Sequence, residues 1–187
     1  MAATEPTSIT HPPAGGAVVW PDASGLSERL DEEVGRAERY GTPLSLLLVV
    51  VENLDEIARE HGAELRQQTL AYIAGALDRE LRSFDRIAIP GPRELAILLP
   101  GADGPSGEMV ARRVIDRLRA IKVEAAERRE ALRISVGLAS WRPESSSSIL
   151  LQRARAAAAR TTNAEHSPAA HEPHEGTALP EPPLTTS

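Results

Sequence analysis

Residues Asp85–Pro100, DRIAIPGPRELAILLP, place two short apolar runs on either side of a Pro-Gly-Pro-Arg turn, which predicts a β-hairpin. Upstream, residues 44–51 form an apolar run of strand length that leads directly through Glu52-Asn53-Leu54 into a helical pattern. Leu26, Leu30, Val34 and Ala37 make one helical stripe, ended by Tyr40-Gly41 and Pro43. Leu70, Ile73, Leu77 and Leu81 make a second, and Val110, Val114, Leu118 and Ile121 a third, with Ser106 as its N-cap. Strands are expected at 44–51, 86–89, 95–99 and 133–140. An alanine-rich closing helix is expected from Ile149 to Thr161, with caps among Ser146–Ser148. The order helix, strand, helix, helix, hairpin, helix, strand, helix predicts an α/β fold of the α+β sandwich kind, a mainly antiparallel sheet flanked by helices.

The ends differ from this middle. Nine of the 15 prolines fall in residues 1–21 and 164–187, among Thr, Ser, Ala and His without hydrophobic periodicity. The expectation is therefore a disordered tail over 1–21, one domain over 22–163, and a disordered Pro/Glu/His-rich tail over 164–187. All 21 Lys and Arg lie between Arg29 and Arg160, while Glu5, Glu165, Glu172, Glu175 and Glu181 lie in the ends. The formal charge of −6 thus belongs mostly to the tails, and no basic field argues for nucleic acid. With no Cys, disulfide and thiol chemistry are excluded. No apolar run is long enough to span a bilayer and no leader pattern opens the chain, so a cytoplasmic protein without membrane contact is expected.

The hairpin tip Gly91-Pro92-Arg93-Glu94-Leu95 and the strand end Val50-Val51-Glu52-Asn53-Leu54 resemble the frame of the GGDEF family of diguanylate cyclases. Further marks are Arg36-Ala37-x-Arg39-Tyr40-Gly41-x-Pro43-Leu44, Gly62, Asp85, Leu98-Leu99-Pro100 and Ser135-Val136-Gly137-Leu138-Ala139. The resemblance covers about residues 26 to 163 and implies the nucleotidyl-cyclase palm-like fold. It also implies ligands for two divalent ions at the positions of Val50, Val51 and Arg93, and base readers at Ala58 and Gln67. The triphosphate-gripping Lys falls on Thr162 and the second hairpin Gly on Pro92. Valine cannot ligate Mg²⁺ and arginine repels it. The resemblance with these substitutions therefore implies no catalytic residues, no Mg²⁺ and no enzyme activity. Glu52 reads as a helix-start acid and Glu94 as a solvated turn residue. The family's opening motif is reduced to Asp22-Ala23-Ser24-Gly25-Leu26, and residues 1–21 are too few for a sensory domain.

Many members of the family carry an inhibitory Arg-x-x-Asp motif five residues before the hairpin signature, where they bind cyclic di-GMP. Arg82-Ser83-Phe84-Asp85 matches that motif in residue type and register, and Arg113, with Arg112 beside it, falls where the family supplies an auxiliary arginine. A guanidinium fork pairs with guanine O6/N7 or phosphate, and a carboxylate accepts from guanine N1 and N2. The simpler account makes Arg82 a helix-end cation and Asp85 a turn former, neither needing a ligand; both side chains are expected at exposed positions where substitution leaves the fold undisturbed. The expected function is a cyclic di-GMP receptor acting as a regulatory signalling module, with a protein partner or self-association. The alternatives are a ligand-independent interaction module on the same fold and, last, an active cyclase. His171, His174, Glu172 and Glu175 have metal-ligand chemistry but no preformed geometry, and Arg153, Arg155 and Arg160 read as a solvated helix face.

Overall fold

The computed structural model describes residues 19–125, 128–162 and 170–171. Its elements are α1 (Ala23–Tyr40), β1 (Leu44–Val51), α2 (Leu54–His61), α3 (Ala63–Asp78), β2 (Arg86–Gly91), β3 (Glu94–Pro100) and α4 (Gly104–Ala120). They continue with β4 (Lys122–Ala125), β5 (Arg128–Ala131), β6 (Ile134–Ser140), α5 (Ser147–Thr162) and β7 (Ala170–His171). The main sheet runs β2-β3-β1-β6-β7, antiparallel except for the β6–β7 pair.

β1 is apolar at every position but Ser45, whose hydroxyl donates to the Ala102 carbonyl, because both faces of the sheet are covered. Leu47, Val49 and Val51 point into a core with Leu54 and Ile57 of α2, Ile73 and Leu77 of α3, and Val114 and Leu118 of α4. Leu44, Leu46 and Leu48 point the other way, onto Leu26 and Leu30 of α1 and Leu150, Ala154 and Ala158 of α5. The sheet is thus the middle of three layers. α5 is alanine-rich because it rests directly on β6. A Cβ at Gly137 would lie 2.2 Å from both the Ala154 carbonyl oxygen and the Ala158 nitrogen.

The helix ends follow capping chemistry with one shift. Asp22 caps α1, accepting from the Ser24 and Gly25 nitrogens, and Gly41 closes it at φ 62°. α4 begins at Gly104, with Asp103 rather than Ser106 as its cap; Ser106 N–H donates to Asp103 Oδ1 at 2.9 Å. α3 stops at Asp78, short of Leu81, which lies in the turn that follows. The β4–β5 hairpin was not anticipated: KVEA and RREA are too charged to read as strands, and Val123 joins it to the larger core. Residues 170–171 of the expected tail pair with Gly137 and Leu138 of β6.

Candidate functional site

Two groups of polar residues stand near the β2–β3 hairpin. The first is the turn between α3 and β2. Asp85 N–H donates to the Arg82 carbonyl at 3.0 Å, and Arg82 N–H donates to Asp85 Oδ2 at 2.9 Å, so the four residues close on themselves. Arg86 braces the turn from outside, donating to the carbonyls of Ser83 and Asp85 at 2.7 and 2.9 Å. Asp85 is 7% exposed, so it supports the fold, contrary to expectation. Arg82 is exposed; its guanidinium carbon lies 5.8 Å from the centre of the Phe84 ring, and it makes no ion pair among the described residues. Arg82 and Asp85 line a cleft of about 360 Å³ with Val19, Trp20, Arg29, Asp78 and Arg86 among its other walls. Arg113 is exposed on α4 and does not line this cleft.

The second group is the hairpin tip. β2 carries one extra residue against β3 between Ala88 and Gly91, a bulge that accommodates Pro90 on this edge strand. Gly91 then pairs with Glu94 across the two-residue turn Pro92-Arg93. Val51 N–H donates to the Arg93 carbonyl at 2.9 Å, which anchors the tip to the end of β1. From there the Arg93 guanidinium reaches Glu52 at 3.8 Å and Asp55 at 3.5 Å, and Arg66 of α3 pairs with Asp55 at 2.9 Å. Glu94 is bound by Arg155 of α5 at 2.8 Å, and Arg153 donates to the Ser140 carbonyl. Arg153 is thus tied to the end of β6, while Arg155 stays on the exposed face of α5 and pairs with Glu94 there.

The tip does not fit a divalent-ion pair. Val50 supplies no side-chain oxygen, and the guanidinium of Arg93 occupies the space between the nearby acids. Among the described residues no three His, Asp or Glu side chains gather as a metal cage. Ala58 is buried in α2, Gln67 is exposed on α3, and the side chain of Thr162 and the His171/His174 group lie outside what the structure describes.

Sequence reasoning missed two contributors, Asn53 and Asp55, and named a third, Trp20, only as the point through which the expected disordered tail would dock if it docked at all. Asn53 is 6% exposed and bridges Ala131 O and Arg133 N through its amide, tying the start of α2 to the approach of β6. Asp55 belongs to the charge array only because α2 begins at Leu54 and turns it toward the tip. Trp20 packs against the larger core and Pro21 O accepts from Ile89 N–H at 2.7 Å. The signal for Trp20 was the short apolar run Val18-Val19-Trp20 at the end of an otherwise aperiodic segment.

A central antiparallel sheet sandwiched by helices thus sets the β2–β3 hairpin beside the end of β1. Residues 21–167 match the diguanylate cyclase GGDEF domain, and the chain belongs to that family. It is 36% identical over 100 residues to diguanylate cyclase DgcP of Pseudomonas aeruginosa, covering 54% of this chain and 14% of the relative. It is 31% identical over 110 residues to diguanylate cyclase DosC of Escherichia coli, covering 58% and 24%. The chain therefore spans less than a quarter of the length of these curated relatives. Among solved structures it superposes on diguanylate cyclase SiaD, in complex with its activator SiaC, from Pseudomonas aeruginosa. That match has a TM-score of 0.72 and 28% identity, and covers 77% of this chain and 55% of the other. It shares the fold of the GGDEF domain of DgcB from Caulobacter crescentus in complex with c-di-GMP, with a TM-score of 0.75, 17% identity and coverage of 86% and 98%.

Membership corrects the expectation that the chain is no enzyme. The curated relatives are diguanylate cyclases, so the family is an enzyme family. Substitutions read one position at a time describe a rewired charge network at the tip, not a rate. Among the described residues no helix is long and apolar enough to cross a membrane.

Proposed function

We propose that this GGDEF domain is a regulatory signalling module that binds cyclic di-GMP in the cleft around Arg82 and Asp85. The Arg82 guanidinium carries the proposal: it is exposed at a cleft and engaged by no ion pair among the described residues, beside a carboxylate held in place by the backbone. That combination suits guanine, whose O6/N7 edge takes a guanidinium fork and whose N1 and N2 hydrogens take a carboxylate. A volume of about 360 Å³ is at the lower end for small-molecule sites, so the cleft takes one guanylyl half. The other half remains outside, where a second copy or a protein partner meets it. The ligand is built from GTP, which sets the module in the cytoplasm. Binding needs no Mg²⁺, because the tip's acids are already matched by Arg93 and Arg66.

Calorimetric titration of the full chain tests this. Cyclic di-GMP binds at micromolar concentration or below, and Arg82→Ala weakens it about 5- to 150-fold, the equivalent of ~1–3 kcal/mol for a bidentate contact. Arg113→Ala changes little, EDTA changes nothing, and cyclic di-AMP and GTP compete poorly. Absence of heat at saturating cyclic di-GMP removes the proposal.

A further inference from the structure

The cleft has a wall that contacts from Arg82 and Asp85 do not require. Val19, Trp20 and Pro21 run along the outer edge of β2, fastened where Ile89 N–H donates to the Pro21 carbonyl at 2.7 Å. The strap turns sharply into α1: a Cβ on Gly25 would stand 2.9 Å from the Pro21 Cβ, so only glycine lets the first helical turn lie against it. Trp20 is half-buried, packed against the larger core on one side and lining the cleft on the other. Buried indoles usually find an acceptor for their N–H. Trp141 does so, donating to the Ser145 carbonyl, whereas Trp20 Nε1 has no acceptor among the described residues.

We infer that Trp20 is a ligand-contacting residue of this cleft, and that strap docking on β2 and cyclic dinucleotide binding stabilise each other. The inference rests on the proposed cyclic di-GMP site and adds to it. An indole supplies a flat apolar face for a purine and one donor for a phosphate or carbonyl oxygen, both of which a guanine dinucleotide presents. Leu81 and Arg82 line the same cleft as the strap, so a base held by Arg82 there comes within the space that Trp20 also borders. A ligand that touches the docked strap binds the docked form more tightly than the undocked one. By linkage, pulling the strap from β2 lowers affinity by the same factor that ligand raises docking.

The test uses the full chain and cyclic di-GMP. In wild type, saturating ligand slows hydrogen exchange of the Ile89 amide, whose acceptor is the strap. In a Trp141→Phe background, where Trp20 is the remaining indole, its emission changes with the calorimetric midpoint. Trp20→Ala weakens binding about 5- to 150-fold, as loss of a base-stacking aromatic does, while Trp20→Phe retains most of it. Undiminished calorimetric binding by Trp20→Ala together with unchanged Ile89 exchange overturns the strap inference and leaves the Arg82 site standing. No heat with wild type removes the site itself and the strap inference with it. Should Trp20→Ala fail to fold, unchanged Ile89 exchange in liganded wild type is sufficient to overturn the inference.

Discussion

Arg93 is a fixed cation at a point where the hairpin meets two carboxylates, and its energetic weight follows from exposure. The side chains of Arg93, Glu52 and Asp55 are 41%, 27% and 45% exposed, so water screens the array. Arg93→Ala should cost less than ~1 kcal/mol in urea unfolding, and the difference should shrink in high salt. A loss of several kcal/mol would show that the array holds the tip in place. Asp85 behaves in the opposite sense. Removing its carboxylate leaves the Arg82 N–H without its acceptor at the one buried side chain of an otherwise exposed turn. Asp85→Ala should therefore lower stability by ~1–3 kcal/mol, while exposed Arg82→Ala stays within ~0.5 kcal/mol. Only the arginine variant separates ligand contact from folding. The chemistry of Arg82 and Asp85 was legible from residue type and spacing. The partners of Arg93 were not, because Asp55 reaches it only through the direction in which α2 leaves β1.

At the scale of elements, the contact of α5 with β6 tolerates no atom at Gly137. Backbone blocks a new Cβ on both sides and cannot rotate away as a side chain can. Gly137→Ala should exceed the ~1–3 kcal/mol of ordinary overpacking and leave the isolated domain largely unfolded on thermal melting. The cap of α4 gives a pH-dependent prediction. Hydrogen bonds from Ser106, side chain first and then backbone, hold the Asp103 carboxyl below its usual range. A carboxyl depressed in the folded state contributes fully above its unfolded value and loses the contribution as pH falls through the folded one. Asp103→Ala should lower the melting temperature at neutral pH, and the gap should close on acidification below about pH 4. β1, the β2–β3 hairpin and the helices facing them were legible because apolar periodicity fixes which face is buried. The β4–β5 hairpin was not, since its alternation is masked by charge. Nor was the end of α3, since Leu81 still packs against the larger core from the turn after the helix and so keeps the helical stripe without being helical.

At the scale of the molecule, the described end of the leading segment, Val19 to Pro21, takes part in the fold. Loss of residues 1–18 should leave the unfolding midpoint unchanged by circular dichroism. Loss of 1–21 should lower it, since Trp20 leaves the core and the edge of β2 loses its cover. An unchanged midpoint in both would show that the strap adds nothing to stability. The position of β1 has another result, for the order in which the structure can be made. Leu47 pairs with Ile97 on one side and with Leu138 on the other, both far downstream. The most apolar strand is therefore synthesised before either neighbour exists, and the sheet assembles by closing two long loops around it. Until then it is an unpaired, uncharged β-forming segment of the sort that associates with its own kind. Yield during biosynthesis should therefore depend on how long residues 44–51 wait for the carboxyl half of the chain as well as on the finished fold's stability.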